Sequence, residues 1–288
     1  MEKTEFKQRS MLAETWKRLK KNKGAMIGLA IVVILFLLAI FAGVIYDYQE
    51  DVIKQDYNEL LQAPSAKHWF GTDELGRDLL ARIIYGSRAS LFISFAAVAL
   101  AAVIGCFFGA VSGYFGGKVD SVIMRMTDIL LAIPETLFAI TLVAALGTST
   151  FTLIIALAIS NIPIYCRLLR GSVMTQRGSE HVEAARAIGA KTSTIIVQHI
   201  LPNCIAPVLV QFTLSIAVTI LTISGLSFLG LGVSPPTPEW GSLLSSSRSY
   251  MREHTYLTIF PGLAIMVTIL SLNLLGDGLR DALDPRLR

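Results

Sequence analysis

Charge is what this 288-residue chain has least of. Asp, Glu, Lys and Arg make up 16% of it, against about 25% in soluble domains. Cysteine is nearly absent. Cys106, Cys166 and Cys204 are an odd number, each in or beside an apolar run, so a disulfide scaffold is excluded. The four histidines, His68, His181, His199 and His254, are scattered and unflanked by cysteine, so no metal site is expected. A phosphate-cradling loop is missing. In the nearest string, 187–192, the P-loop glycines before Lys191 are replaced by Ala190 and Ala185. No Gly-x-Ser-x-Gly elbow is present, and no enzyme activity or cofactor is expected.

What is there is apolar. The chain is 53% hydrophobic with mean hydropathy +0.60, which excludes disorder. A membrane-spanning helix needs roughly 20 mostly apolar residues. Six stretches qualify: 25–46, 89–114, about 129–147, 151–166, 205–233 and 257–275. The third and fourth are joined by three residues and read as a hairpin. The first run is long and has no cleavage pattern behind it, so it is expected to stay as a helix.

Six spans alternate the connecting segments. Eight Lys and Arg precede the first span, two lie in 115–128, five in 167–203 and three in the tail, 18 of the 25 in all. The other set, 47–88, 148–150 and 234–256, holds seven. The excess of cations on one set places both termini in the cytoplasm, in the cell membrane. It also explains the basic pI without a nucleic-acid partner. Met11, Leu12, Trp16 and Leu19 recur at helical spacing among lysines, which reads either as an amphipathic helix on the membrane lipid or as an ordinary basic flank.

Residues 167–203 do not resemble a linker. Glu183, Ala184, Ala185, Arg186 and Ala187 are strong helix formers, and Gly189 stands where a left-handed cap would end the helix. Thr192, Ser193 and Thr194 are placed to cap a second helix, 195–200, which Pro202 follows. A short helix with small residues on one face suits a groove on a partner, with Glu183 and Arg186 free to pair across it.

The run Glu183-Ala184-Ala185, then Gly189, then Leu201-Pro202, resembles the cytoplasmic signature loop of ABC importer permeases. With His199-Ile200 before Leu201-Pro202, it is similar to the peptide and nickel branch. So are 70–78, 113–117, 235–241 and 276–285, in order, and the run from Trp16 to Gly24 resembles the shorter, second permease subunit of that branch. The resemblance implies an all-α polytopic fold of six transmembrane helices with type I importer architecture. Its parts would be a cytoplasmic amphipathic N-terminus (1–24), a first span (25–46), an extracytoplasmic segment (47–88), a five-helix core (89–277) carrying the coupling loop 167–203, and a cytoplasmic tail (278–288). It implies a second homologous permease, two ATP-binding subunits and an extracytoplasmic binding protein as partners, and peptides as cargo. Nickel or a metal chelate is the alternative cargo. A gradient-driven carrier is the rival class, but such carriers tend to show internal repeats and interrupted helices with mid-membrane ionisable groups, whereas no strong half-to-half repeat is seen here and the mid-span regions hold no Asp, Lys or Arg.

Intramembrane polar groups are few. Gln211, Ser215, Thr219 and Thr222 form one stripe, read either as pore lining or as interhelical packing. Asp128 and Glu135 are seven apart and so share one helical face, with Pro134 kinking or ending the helix between them. Either Asp128 pairs with Arg125 at the inner interface, which is favoured, or the two acids line a path. Acidic residues at 73, 74 and 78 lack calcium-loop spacing; a capped surface helix from near Thr72 is expected there.

Overall fold

The computed structural model describes residues 11–283, with side chains from Glu14 onward. The expectations on Met11 and Leu12 side chains, on the basic residues before position 11 and on residues 284–288 lie outside what is described. A short helix α1 (Met11–Leu19) leads into α2 (Lys23–Ile45), the first span. Asn22 caps α2 by accepting from the Ala25 amide at 3.1 Å. Glu14 and Arg18 pair one turn apart on α1, and the Lys20 ammonium lies over the Trp16 ring. Leu19 is buried, packed with Ala25, Leu275 and Ala282, so α1 is pinned to the end of the last helix. Asn22 also reaches Asp281 at 3.4 Å, so both ends of the described chain meet at one end of the bundle, here the terminal end.

The second span, α3 (Leu79–Phe115), is 37 residues long, ten residues longer at its start than the apolar run suggests. Asp78 caps it, accepting from the Ala81 amide at 2.8 Å. It packs in parallel on α6 (Thr150–Arg177) through Gly105, Gly109 and Gly113. A Cβ on these would stand 2.6, 2.5 and 2.8 Å from the carbonyl oxygens of Ile162, Cys166 and Arg170. Only glycine lets the two backbones approach so closely, the small-residue rule of membrane helices.

The third span is not one helix. It divides into α4 (Gly117–Leu131) and α5 (Glu135–Leu146), bent by 81° at 132–134. Pro134 cannot donate to a continuing helix and restricts the residue before it, so α5 starts afresh. Among the described residues five helices are long and apolar enough to cross a membrane alone, and the bent pair, taken as one span, brings the number to six. α7 (Glu180–Ala187) follows α6. Then α8 runs unbroken from Thr192 to Phe228. Here the expectation of a separate helix ending before Pro202 is corrected. A wide turn over Ile195–Ile200, in which the Leu201 amide reaches back five residues to Ile196, makes room for the proline ring inside one long helix. Lys191, with no capping side chain, precedes it, so Thr192 to Thr194 are helical residues rather than the cap.

The remaining α-helices among the described residues are α9 (Trp240–Ser247) and the last span α10 (Tyr256–Leu283), whose end takes in the first residues of the expected tail. The expected helix near Thr72 is absent. Its caps are diverted: the Asp73 carboxylate accepts from the amides of Leu75 (2.9 Å) and Arg77 (3.0 Å), from the Arg77 guanidinium (2.8 Å) and from Arg82. An aspartate bonding its own following amides makes a turn. Segment 54–78 is thus an ordered loop, clamped to α10 by the Tyr256 hydroxyl donating to the Thr72 carbonyl (2.9 Å) and by stacking of Phe70 on Phe260.

Candidate functional site

α7 stands at the terminal end, between the last turn of α6 and the first of α8. Its underside, Val182 and Ala185, is buried in the same core as Leu169, Val173, Ile195 and Ile200. Its outer side is uncovered: Glu183, Ala184, Arg186 and Ala187 are exposed, and Ile188 is 85% exposed. Neither Glu183 nor Arg186 makes an ion pair among the described residues. The helix ends where the sequence placed its end. Gly189 adopts φ +78°, its amide donates to the Arg186 carbonyl at 3.0 Å, and the Ala190 amide donates to the Ala185 carbonyl at 3.1 Å. These two bonds form a left-handed glycine cap that satisfies the last carbonyls. A second tie runs underneath, from His181 Nε2 to the carbonyl oxygen of His199 at 3.3 Å. Leu201 and Pro202 lie in α8 just past its wide turn, Leu201 half-buried against the same core and Pro202 exposed. Of the seven residues singled out in this loop, Glu183, Ala184, Ala185, Arg186 and Gly189 form one small capped helix and its end, packed on α6 and α8, while Leu201 and Pro202 stand on α8 instead.

The polar stripe of α8 is placed differently. Ser215 and Thr219 are 3% and 0% exposed, and Gln211 donates to the Ser215 hydroxyl at 3.0 Å. Thr222 returns its hydroxyl to the Val218 carbonyl at 3.1 Å. Val218 and Leu221 lie on the uncovered side of α8. Ser215 and Thr219 face the chain's own interior, with Tyr165 in the core beside α6, the side on which helices pack.

Comparison with known proteins decides the family. Residues 102–288 match the model of the binding-protein-dependent transport system inner membrane component, and residues 10–64 match that of the N-terminal transmembrane domain of oligopeptide transport permease C. The chain belongs to the binding-protein-dependent permease family. It is 46% identical to the dipeptide transport system permease protein DppC of Alkalihalophilus pseudofirmus, over 96% of this chain and 90% of that protein. It is 43% identical to the di/tripeptide transport system permease protein DppC of Pseudomonas aeruginosa, over 97% and 93%. The glutathione transport system permease protein GsiD of Escherichia coli is 44% identical over 96% and 90%. Among solved structures, the inward-facing MetNI methionine ABC transporter matches with TM-score 0.58 at 15% identity, over 70% of this chain and 96% of that one. An amino acid ABC transporter crystallised with histidines matches with TM-score 0.55 at 16% identity, over 70% and 94%. The permease is thus a multi-pass membrane subunit of a multicomponent importer.

Two arrangements of this permease differ from, or escaped, the reading of its sequence. Asp128 pairs with Arg167 at 2.6 Å, not with Arg125, and the 81° bend parts it from Glu135, so the two acids share no helical face. At the other end of the bundle, Glu239 is fully buried. Its carboxylate accepts from the amides of Gly241 and Ser242, both at 2.9 Å, and from the Ser90 hydroxyl at 3.1 Å. Trp240 donates its ring N–H to the Ile83 carbonyl at 2.9 Å. Glu239 and Trp240 are therefore a latch that ties α9 to α3. Its Glu-Trp-Gly order was the only signal, since a carboxylate directly before a helix is a capping pattern.

Proposed function

We propose that this chain is one of two homologous permease subunits of an ATP-driven importer of di- and oligopeptides. Two ATP-binding subunits dock at α7, and an extracytoplasmic binding protein delivers cargo to the opposite end. Both termini and α7 lie in the cytoplasm, as the excess of Lys and Arg on those segments favours. The single observation that carries the coupling role is the form of α7. It is a short, glycine-capped helix with unpaired Glu183 and Arg186 on its outer face and an exposed Ile188, while its underside is locked into the cores of α6 and α8. A force applied to such a helix is passed to two spans at once. ATP-driven closure of the docked subunits would shift α6 and α8 together and open the central path outward. Hydrolysis would return it inward. The relatives named for dipeptide, di/tripeptide and glutathione transport support peptides as the cargo.

The test is reconstitution in liposomes with the second permease, the ATPases and the binding protein. Glu183→Arg reverses a docking charge. Gly189→Pro removes both the amide bonded to Arg186 and access to φ +78°. Peptide uptake and binding-protein-stimulated hydrolysis should collapse in both variants while the membrane subunits still assemble. Uptake that persists without any ATPase, or that ignores both changes, would overturn the reading. Uptake of nickel but of no peptide would overturn the cargo alone.

A further inference from the structure

The break in the third span leaves a carboxyl group deep in the bundle. Glu135 opens α5 and is half-buried. Its Oε1 accepts from the Asn161 side-chain amide at 3.0 Å. Asn161 is 2% exposed and is held in turn by donating to the Leu157 carbonyl at 2.9 Å. Depth follows from α6. Asn161 lies eleven residues beyond Thr150, the first residue of that helix, which at 1.5 Å per residue is about 16 Å. A hydrocarbon core is about 30 Å thick, so Asn161 and the carboxyl it holds sit near mid-membrane. Asp128 and Arg167 pair with each other nearer the terminal end, so neither serves Glu135. Among the described residues no cation faces Glu135, and its Oε2 has no partner.

Glu135 also borders a cavity of about 130 Å³, walled by Pro134, Phe138, Ser160 and Ile164 among others. The Ser160 hydroxyl donates its proton to the Ala156 carbonyl at 2.9 Å, so toward the cavity it has only lone pairs to offer. Leu131 and Ile133, which also wall the cavity, are exposed, so it borders an uncovered face. An isolated carboxylate at this depth is costly unless it meets water or a cation. Two acceptors, one anionic, in an apolar pocket of this size suit a group with one positive charge and several N–H donors. No group of three metal-ligating side chains is present among the described residues.

We propose that Glu135, oriented by Asn161, faces the translocation path and takes the protonated amino group of the passing cargo, with Ser160 as the second acceptor. The proposal rests on the peptide-importer reading above.

The complete transporter in liposomes, with tritiated alanyl-alanine as probe, tests it. In Glu135→Gln, uptake should fall about tenfold, the effect of losing one charge-assisted hydrogen bond. Stimulated ATP hydrolysis should persist, and Glu135→Asp should recover most of the uptake. In a background with Cys106, Cys166 and Cys204 changed to alanine, Glu135→Cys should react with a charged, water-soluble thiol reagent, and alanyl-alanine should slow the reaction during turnover. Assembly of each variant is checked by size-exclusion chromatography. A cysteine at 135 that is unreactive, unprotected by peptide or crosslinked to the second permease overturns the proposal, as does wild-type uptake in the glutamine variant. Failure of the wild type to take up any peptide overturns the importer reading instead, and this proposal with it.

Discussion

α7 and α9 are both eight-residue helices outside the membrane-length spans, at opposite ends of the bundle, yet they are built in opposite ways. α9 turns inward. It buries Trp240, Gly241, Leu243 and Ser247, and its cap is a buried carboxylate shared with α3. α7 buries only Val182 and Ala185 and has no side-chain cap at its start. It presents charges and Ile188 to whatever lies outside. The difference teaches which helix completes the fold: a helix whose polar groups are satisfied within the chain has nothing left to offer another, and on the reading proposed above α7 is the one left for a partner.

The sharpest way to break the comparison is Gly241→Val. A Cβ there would stand 2.4 Å from Ser224 Cα, which is backbone and cannot move aside. The cost should reach about 3 kcal/mol, enough to deplete assembled subunit from membranes by size-exclusion analysis. Glu239→Ala should cost about 2 kcal/mol through the lost cap and the stranded Ser90 hydroxyl, read as a lower thermal-unfolding midpoint in detergent. A smaller effect is expected of pH on the loop 54–78. Lys67, and next His68, hold the Glu59 carboxyl below its usual 4.5 by hydrogen bonding to its charged form. A lowered carboxyl contributes stability above its unfolded value and loses it as pH falls through the folded one. Amide exchange in 59–72 should therefore quicken below that range, beyond the intrinsic pH trend, and stay protected above it. Glu183→Arg should be the mildest for stability, within about 0.5 kcal/mol because the side chain is exposed and unpaired. If it instead unfolds the permease, α7 is a structural element like α9 and the contrast fails.

Much of the architecture was legible beforehand. The apolar runs located the spans because a bilayer demands helix-length hydrophobic stretches whatever the tertiary fold. Gly189 marked the end of α7, since a local left-handed cap depends on backbone sterics alone. Pro202, an equally local signal, misled, because a wide turn three-dimensionally accommodated within α8 absorbed the ring. Asp73 and Glu74 looked like the start of a helix until Arg77 and Arg82 claimed the aspartate. In the loop 167–203 the residues from Glu183 to Gly189 form one capped helix, whereas Leu201 and Pro202 stand on α8. In the stripe of α8 periodicity puts Ser215, Thr219 and Thr222 on one face but is silent on what that face meets.

The sequence by itself determined that the chain is a helical membrane subunit, where its spans lie, and where α7 ends. These depend on burial in lipid and on backbone conformation, both properties of short stretches. Only the tertiary structure decided that the third span bends by 81°, that Asp128 belongs to Arg167, that Glu135 belongs to Asn161, and that Glu239 is an internal latch. Each of those depends on which helix stands opposite, and partners 26 to 149 residues apart are chosen by packing rather than by spacing along the chain.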